Sequence, residues 1–386
     1  MHAIILAAGE GMRLRPLTTY MPKVMLPVGN KPIMEYVIDA LRENDVKDIT
    51  IVVGYHADKV KQYFGNGADF GVKIKYALQR KQIGTAHALY QAKMDGEFLL
   101  LYGDNMIDAQ CVREILQSGV NTILGVRSEK PFRYGIIEMG RRNIIKLVEK
   151  RDYGEAVVFT GLGHFDSEIF RRIEEMMQSE IYDLPGVLNA MDIEVKVSNC
   201  GWRDALYPWD LLDLNSVTLS SNVRRIAGKV EESNIIGNVE IGSGTRIGAG
   251  SYIYGNVKIG ENCNIGPNTV IMGDTSIGDG VEIGAFGYIE NSIIMGGTKI
   301  GVGSVVKNSV IGREVAIGDK FVVLSGNRKR IFVDEIMSVN GGAIVGDGAT
   351  IGAIVVVAEG CIVGADSRIG SMKFIRSDLG NGERVV

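Results

Sequence analysis

The sequence predicts two folds in tandem, an α/β doubly wound, mostly parallel sheet followed by an all-β coil of short parallel strands. In the first half, apolar strands alternate with amphipathic helices, the pattern of a sheet covered on both faces. In the second half ten isoleucines recur at a strict six-residue step: Ile235, Ile241, Ile247, Ile253, Ile259, Ile265, Ile271, Ile277, Ile283 and Ile289. Several are followed by glycine, as in Ile241-Gly242, Ile259-Gly260 and Ile283-Gly284. No ordinary amphipathic element explains that step. A coil with three flat faces does, if each hexad makes one short strand and one turn, the aliphatic residue points inward, and the small residue lets the backbone turn.

Taken in order, Ala3–Ala8, Ile49–Val53, Lys73–Ala77, Glu97–Tyr102 and Thr122–Val126 read as strands. Lys31–Glu43, Ala57–Phe64, Thr85–Ala92 and Asp108–Gln117 read as the helices between them. Residues 127–200 add strands and a helix around Ser167–Gln178 that complete the sheet. In such a sheet the ligand site lies at the C-terminal ends of the strands. The pattern loosens around Asn215–Lys229, which places the boundary near residue 220, with a first domain over 1–220 and a second over 221–386. The six-residue register breaks at Ser325–Arg330, read as a loop leaving the coil, and resumes at Val345, Ile351, Val357, Val363, Ile369 and Ile375.

At 386 residues the chain is long enough for two or three separate cores. A net charge of -4 argues against general nucleic-acid binding, which calls for a clustered basic surface. No apolar run approaches the roughly 20 residues that span a bilayer. The start, Met1-His2-Ala3-Ile4-Ile5-Leu6, enters a strand with no charged n-region or cleavage site, so the expected location is cytoplasmic. Cys111, Cys200, Cys263 and Cys361 are far apart, form no CxxC pair, and read as reduced, mostly buried thiols.

The first strand runs into Leu6-Ala-Ala-Gly-Glu-Gly-Met-Arg-Leu-Arg-Pro-Leu-Thr18, followed by Met21-Pro-Lys-Val-Met-Leu-Pro27. Gly9 and Gly11 let the backbone pass close to a ligand, and their amides can cradle phosphate oxygens. Arg13 and Lys23 add positive charge suited to a triphosphate. Leu14 stands where a dinucleotide fingerprint wants a third glycine, and no Gly-Lys-[Ser/Thr] follows to make a Walker loop. Gly9-x-Gly11-x-Arg13-Leu-x-Pro16-Leu-Thr18 with Pro22-Lys23 resembles the signature of the sugar-1-phosphate nucleotidylyltransferases. Further family positions match in order: Gln79 ahead of Gly84-Thr85-Ala86, Gly103-Asp104, Tyr134-Gly135, Glu149-Lys150, and Trp202-Arg-Asp204.

The resemblance covers roughly residues 1–215, and it implies the roles that follow. Leu6, Ala8, Gly9, Gly11, Gln79, Gly84 and Thr85 would bind the nucleotide, with Gln79 reading a pyrimidine base. Asp104 and Asp204 would hold Mg²⁺ as hard oxygen ligands. Arg13 would balance charge on the departing pyrophosphate, and Lys23 would grip the α-phosphate. Gly135, Glu149 and Lys150 would hold the sugar phosphate. Two anions must meet, so catalysis is charge neutralisation and in-line positioning, with no nucleophilic side chain required. The partners implied are a nucleoside triphosphate, UTP or dTTP, and a sugar 1-phosphate of the glucose or N-acetylglucosamine type. His56, His87 and His164 are expected to be structural.

The chain departs from the family in two places. An Asn-Ala-Gly-Ile-Tyr segment is usual where this sequence has Phe159-Thr-Gly-Leu162, and Ala205-Leu206 replaces Ile-Gly after Asp204. These changes touch sugar recognition, and they keep open a second reading: a catalytically weak relative that binds nucleotide sugars as a regulatory or scaffolding subunit. The hexads resemble the left-handed β-helix often fused to these enzymes, where a histidine base commonly serves acetyl transfer. All four histidines lie before residue 165, and the family's His-x-x-Tyr aligns near Val302 and Val305. Its Gly-Ala-Gly-Thr stretch is Gly318-Asp-Lys-Phe321, and Thr350-Ile-Gly-Ala-Ile354 replaces a Lys-Thr-Gly-x-Asn pattern. Acetyl transfer is therefore not expected. Flat faces predict assembly around a three-fold axis, as a homotrimer or a hexamer built from trimers.

Overall fold

The computed structural model describes residues 1–131, 134–140, 144–147, 154–332 and 335–386. They form two compact units. The first comprises Met1–Gly11, Met21–Met25 and Pro32–Asp204; the second comprises Met12–Tyr20, Leu26–Lys31 and Ala205–Val386.

The first unit is built on a mixed sheet whose central strand is His2–Ala7. This strand pairs in parallel with Asp48–Val53 on one side and Phe98–Tyr102 on the other, and Asp48–Val53 pairs in parallel with Lys73–Leu78. Five of its six residues are buried, which is why it reads as an unbroken apolar run. Alternate residues serve opposite faces. Ala3, Ile5 and Ala7 join a core that includes Met34, Val37, Ile38 and Leu41 of α1 (Ile33–Glu43). Ile4 and Leu6 join a core with Ala88 and Leu89 of α3 (Thr85–Tyr90) and with Ile169, Phe170 and Ile173 of α5 (Glu168–Gln178). The spacing of the α1 residues at i, i+3, i+4 and i+7 is the helical stripe that the sequence pattern implied. Beyond Phe98–Tyr102 the sheet stops being parallel. The long strand Ala156–Phe165 lies antiparallel to Phe98–Tyr102 and to Thr122–Ser128, which in turn pairs in parallel with Glu194–Ser198.

Cys111, near the start of α4 (Ala109–Leu116), and Cys200, just past the Glu194–Ser198 strand, form a disulfide with Cα atoms 5.3 Å apart. This corrects the expectation of four reduced thiols. The two are separated by 89 residues, and only the fold brings them together. Cys263 and Cys361 remain free and buried.

The second unit holds a parallel β-helix of the left-handed class, with three stacked sheets. Each turn brings an isoleucine onto its counterpart: Ile241 onto Ile259 and Ile277, Ile247 onto Ile265 and Ile283, Ile253 onto Ile271 and Ile289. All nine are buried in one continuous core. The coil continues past Ile289 with one residue omitted at a corner, so that Ile277 pairs with Ile294 and Ile289 with Val306. Ser325–Arg330 is not a simple loop. Gly326–Phe332 and Glu335–Gly341 pair as an antiparallel hairpin inserted between coils.

The glycines after the isoleucines do a different job from the expected one. Positive φ falls two positions later, at Gly244, Gly250, Asn262, Asn268 and Gly280. Gly242, Gly260, Gly266 and Gly284 are required by stacking. A Cβ on Gly266 would lie 2.5 Å from the backbone nitrogen of Ala285, and one on Gly284 2.7 Å from that of Val302. Adjacent strands of a sheet lie about 4.8 Å apart, so a side chain aimed at the next coil has no space. Gly280, with φ +67, has nothing within 4 Å of a hypothetical Cβ. Gly266→Ala should therefore destabilise the β-helix by about 2–3 kcal/mol, through overpacking against backbone. Gly280→Asn should cost under about 1 kcal/mol, because asparagine tolerates the left-handed corner. Denaturant unfolding of the β-rich unit checks this, and equal losses would contradict the stacking account.

Candidate active site

In an α/β sheet a ligand site belongs at the C-terminal ends of the parallel strands, and the first unit has a cavity of about 310 Å³ there. Leu6 and Ala7, at the end of the central strand, form its floor with Ala8, Gly9 and Gly11 of the following loop. A Cβ on Gly9 would meet nothing within 4 Å, so packing within the chain does not explain this glycine. Its bare backbone faces open space, as a phosphate cradle requires. Gly11 has φ +72, a left-handed conformation that side chains resist. The Gly103 amide donates to Leu6 O at 2.9 Å, which pins the following Asp104 at the cavity rim.

The strongest electrostatic feature is Lys23, which lines the same cavity. Its Nζ donates to Asp104 Oδ2 at 2.8 Å and to Asp204 Oδ1 at 2.6 Å. Sequence reasoning assigned Asp104 and Asp204 to one metal site although they stand 100 positions apart in the chain; the fold brings both carboxylates to one ammonium. Short antiparallel pairing does this, with Asp204 opposite Asn105 and Arg203 opposite Met106. Asn105 Nδ2 and Trp202 Nε1 both donate to Thr160 O, at 2.6 and 3.1 Å, and so tether the two strands to the sheet. Asp108 adds a further tie, accepting from Cys111 N at 3.0 Å and Gly201 N at 2.8 Å. Burial favours the neutral amine of Lys23, but the two carboxylates outweigh it and hold the ammonium above the ordinary lysine range. The site thus carries two converging anionic donors with a cation already between them.

Gln79, Gly84 and Thr85 line the cavity as expected. The Gln79 side chain is buried; its Nε2 donates to Gly84 O at 3.0 Å and lies 3.0 Å from His87 Nδ1. His87 is thereby a structural partner of the loop. A Cβ on Gly84 would sit 2.2 Å from Tyr182 O, so no larger residue fits there. That carbonyl accepts from the amides of Ala86 and His87 at 2.9 and 3.2 Å, and the start of α3 is closed by protein. Gln82 and Tyr102 also line the cavity and were not singled out from the sequence. Tyr102 was findable, since it precedes Gly103-Asp104 at the end of a predicted strand; Gln82 had no signal beyond its loop.

Gly135, expected at the sugar phosphate, opens the strand Gly135–Glu138 and is not among the residues lining this cavity, and the adjoining Tyr134 ring packs edge-on against Trp202 at 5.0 Å. Glu149 and Lys150 lie outside the described residues. Phe159, at the departure from the family pattern, is buried with its ring 5.9 Å from that of Tyr102. Gly161, at φ +79, lies so close that a Cβ would come within 2.5 Å of the Tyr102 ring. An aromatic pair thus stands at the segment where the sequence departs from the resembled family's pattern. Arg13 is exposed in the turn Met12–Leu14, and its segment packs with the second unit.

Residues 2–220 match the family model described as nucleotidyl transferase, and residues 253–340 match that of the GMPPB C-terminal domain. The chain is 38% identical to the bifunctional protein GlmU of Methanococcus maripaludis strain C7, over 98% of this chain and 95% of that one. It is 32% identical to a bifunctional sugar-1-phosphate nucleotidylyltransferase/acetyltransferase of Sulfurisphaera tokodaii, over 99% of both chains. A solved Bacillus anthracis structure, assigned as a glucose-1-phosphate thymidylyltransferase, superposes with a TM-score of 0.51 at 26% identity, covering 58% of this chain and 98% of that one. Among the described residues, no helix is long and apolar enough to cross a membrane. With the family model spanning more than half its length and the two-domain relatives matching end to end, the chain belongs to the nucleotidyl transferase family, among the sugar-1-phosphate nucleotidylyltransferases that carry a C-terminal β-helix.

Proposed function

We propose that this protein transfers a nucleotidyl group from UTP or dTTP to a sugar 1-phosphate, of the glucose or N-acetylglucosamine type, and releases pyrophosphate. The observation that carries the reading is Lys23 held between Asp104 and Asp204 at the rim of the cavity. A phosphate oxygen of the sugar 1-phosphate attacks the α-phosphorus, and the bond from that phosphorus to the pyrophosphate oxygen breaks. The attacking oxygen is already anionic and needs no general base. The barrier is therefore repulsion between anions, which fixed positive charge lowers. Lys23 supplies such a charge and, held above its ordinary range, keeps it throughout the neutral and mildly alkaline region.

Asp104 and Asp204 fit a divalent cation: both are hard oxygen donors and both converge on a single positive group. They would hold Mg²⁺, which when bound neutralises charge on the phosphate oxygens. Arg13 is assigned to the pyrophosphate, Gln79 to the pyrimidine edge, and Gly135, Glu149 and Lys150 to the sugar phosphate. The Tyr102–Phe159 pair offers the sugar an apolar wall in place of an amide.

We assign the β-helix to assembly and not to acetyl transfer, although the Sulfurisphaera tokodaii relative carries that activity in its name. No histidine follows His164. One face of the prism presents, in register, Tyr252, Val270, Tyr288, Val305, Val322, Val356 and Phe374. Its neighbour presents Lys229, Arg246, Asn264, Glu282, Lys299, Ala316, Thr350 and Arg368 at corresponding positions. Tyr252, Tyr254 and Phe374 are more than a third exposed, and the two tyrosines stack at 6.3 Å. A second copy of this chain would cover this apolar face and build the three-fold assembly.

A pyrophosphate-release panel crossing four nucleotides with several sugar 1-phosphates should show activity with UTP or dTTP, and Gln79→Ala should erode that preference; a GTP preference would contradict the base assignment. Lys23→Ala and Asp104→Asn should each lower turnover at least about 10²-fold with the fold intact, and near wild-type rates would overturn the reading. Lys23 protonation contributes stability fully below the unfolded pKa, about 10.4, and that contribution fades only as pH rises through the higher folded value. At about pH 9.5, just below that unfolded value, Lys23 should resist amine acylation in the wild type and react faster in Asp204→Asn, read by peptide mass spectrometry. Acetyl-CoA with glucosamine 1-phosphate should release no thiol above background, and light scattering should give three or six chains; acetyl transfer or a monomer would remove the assembly-only assignment.

A further inference from the structure

The Cys111–Cys200 disulfide ends four residues before Asp204. We propose that it is a thiol-exchange site, opened by a dithiol reductant, and that opening it frees the Cys200 loop and lets Asp204 move away from Asp104 and Lys23, lowering cation affinity and turnover. This inference rests on the nucleotidyl-transfer reading above. Every residue in the path belongs to the first unit.

The two sulfurs are held unequally. Cys111 lies in α4, in one core with Val112 and Ile115, and Asp108 caps its amide at 3.0 Å. Cys200 lies outside the regular elements, between exposed Asn199 and Gly201. Cys111 is 0% exposed and Cys200 8%, so a reductant gains access from the Cys200 side. Its thiolate bonds to Cys200 Sγ, the bond between the two cysteine sulfurs breaks, and Cys111 leaves with the electron pair and takes a proton. The second thiol of the dithiol then bonds to the first sulfur of its own molecule and releases Cys200 as a thiol. The dithiol ends as a disulfide. Cys263 and Cys361 do not compete, because both are buried and burial pushes both thiols up, away from the reactive thiolate.

Once the bond is open, the two sulfurs need separate van der Waals space. α4 packs on α1 and keeps Cys111 in place, so the displacement falls on Cys200. An Asp108 carboxylate oxygen lies within 4.8 Å of both sulfurs, and a thiolate formed there meets like charge. Movement of Cys200 passes to Trp202, whose amide donates to Cys200 O at 2.8 Å and whose indole donates to Thr160 O. Asp204 follows two residues on, held in a ladder of only two residue pairs. A ladder that short is marginal by itself. Cys111 and Cys200 are positioning residues and need not touch substrate.

The full chain is compared oxidised, reduced with dithiothreitol, and reoxidised. In denaturant the oxidised chain should show two thiols and the reduced chain four. Reduction should lower kcat about tenfold and raise the apparent Mg²⁺ activation constant about tenfold, the lower end of what losing the support behind a metal ligand costs. Amide hydrogen exchange in peptides covering residues 199–204, measured without nucleotide or cation, should quicken while His2–Ala7 stays protected. Reoxidation should reverse all of these changes. Cys200→Ser and Cys111→Ser should each behave as the reduced wild type and ignore dithiothreitol. If the buried Cys111→Ser fails to fold, Cys200→Ser, in its surface loop, decides the matter alone. Unchanged turnover, unchanged exchange, a loss that reoxidation does not reverse, a Cys200→Ser variant still sensitive to reductant, or four thiols in the air-oxidised chain would each overturn the proposal. A wild type without turnover on the whole panel would instead defeat the functional reading, and exchange over 199–204 would then decide the tether by itself.

Discussion

The organisation of the site depends on two residues' worth of antiparallel pairing. Asp204 lies opposite Asn105, so a carboxylate from the end of the first unit is delivered beside Asp104, and both meet the Lys23 ammonium. Three distant stretches of sequence become one charged centre. A buried lysine without partners would shed its proton, and the two carboxylates keep Lys23 charged. The neighbouring ties act on this pairing: the bonds to Thr160 O, the Asp108 cap, and the Cys111–Cys200 disulfide, which joins α4 to the chain four residues before Asp204.

Much of the fold was legible because its determinants are periodic. His2–Ala7 is apolar throughout since both its faces are covered, and α1 shows its stripe since one face packs on the sheet. The hexads repeat because every coil meets the same neighbour. The omitted corner residue after Ile289 hid the continuation of that coil from a six-residue count, although Ile294, Ile300 and Val306 carry it forward. The inserted hairpin had no periodic cue of its own. Reading the post-isoleucine glycines as turn formers was the natural error, since sequence shows that a residue is small but not whether backbone dihedral or an adjacent coil demands it.

Site residues divided in a similar way. Gly9, Lys23, Gln79, Gly84, Thr85 and Asp104 were readable through motif spacing, and they line one cavity. The disulfide was not readable, because pairing over 89 residues depends on where α4 meets the end of a strand. Nor could spacing reveal that Phe159 would pack on Tyr102, or that Met12–Tyr20 would group with the β-helix. These are tertiary facts without a local signature.

The account stands on the claim that Asp104, Asp204 and Lys23 form one exchangeable charge centre, in which the ammonium yields a carboxylate when nucleotide and divalent cation arrive. A structure of the protein with a non-hydrolysable UTP analogue and Mg²⁺ tests it most directly. The account predicts a cation ligated by both Asp104 and Asp204, with the Lys23 ammonium released from at least one of them and bonded to a phosphate oxygen. Nucleotide bound in the cavity with Lys23 still joined to both carboxylates, and no cation between them, would contradict it.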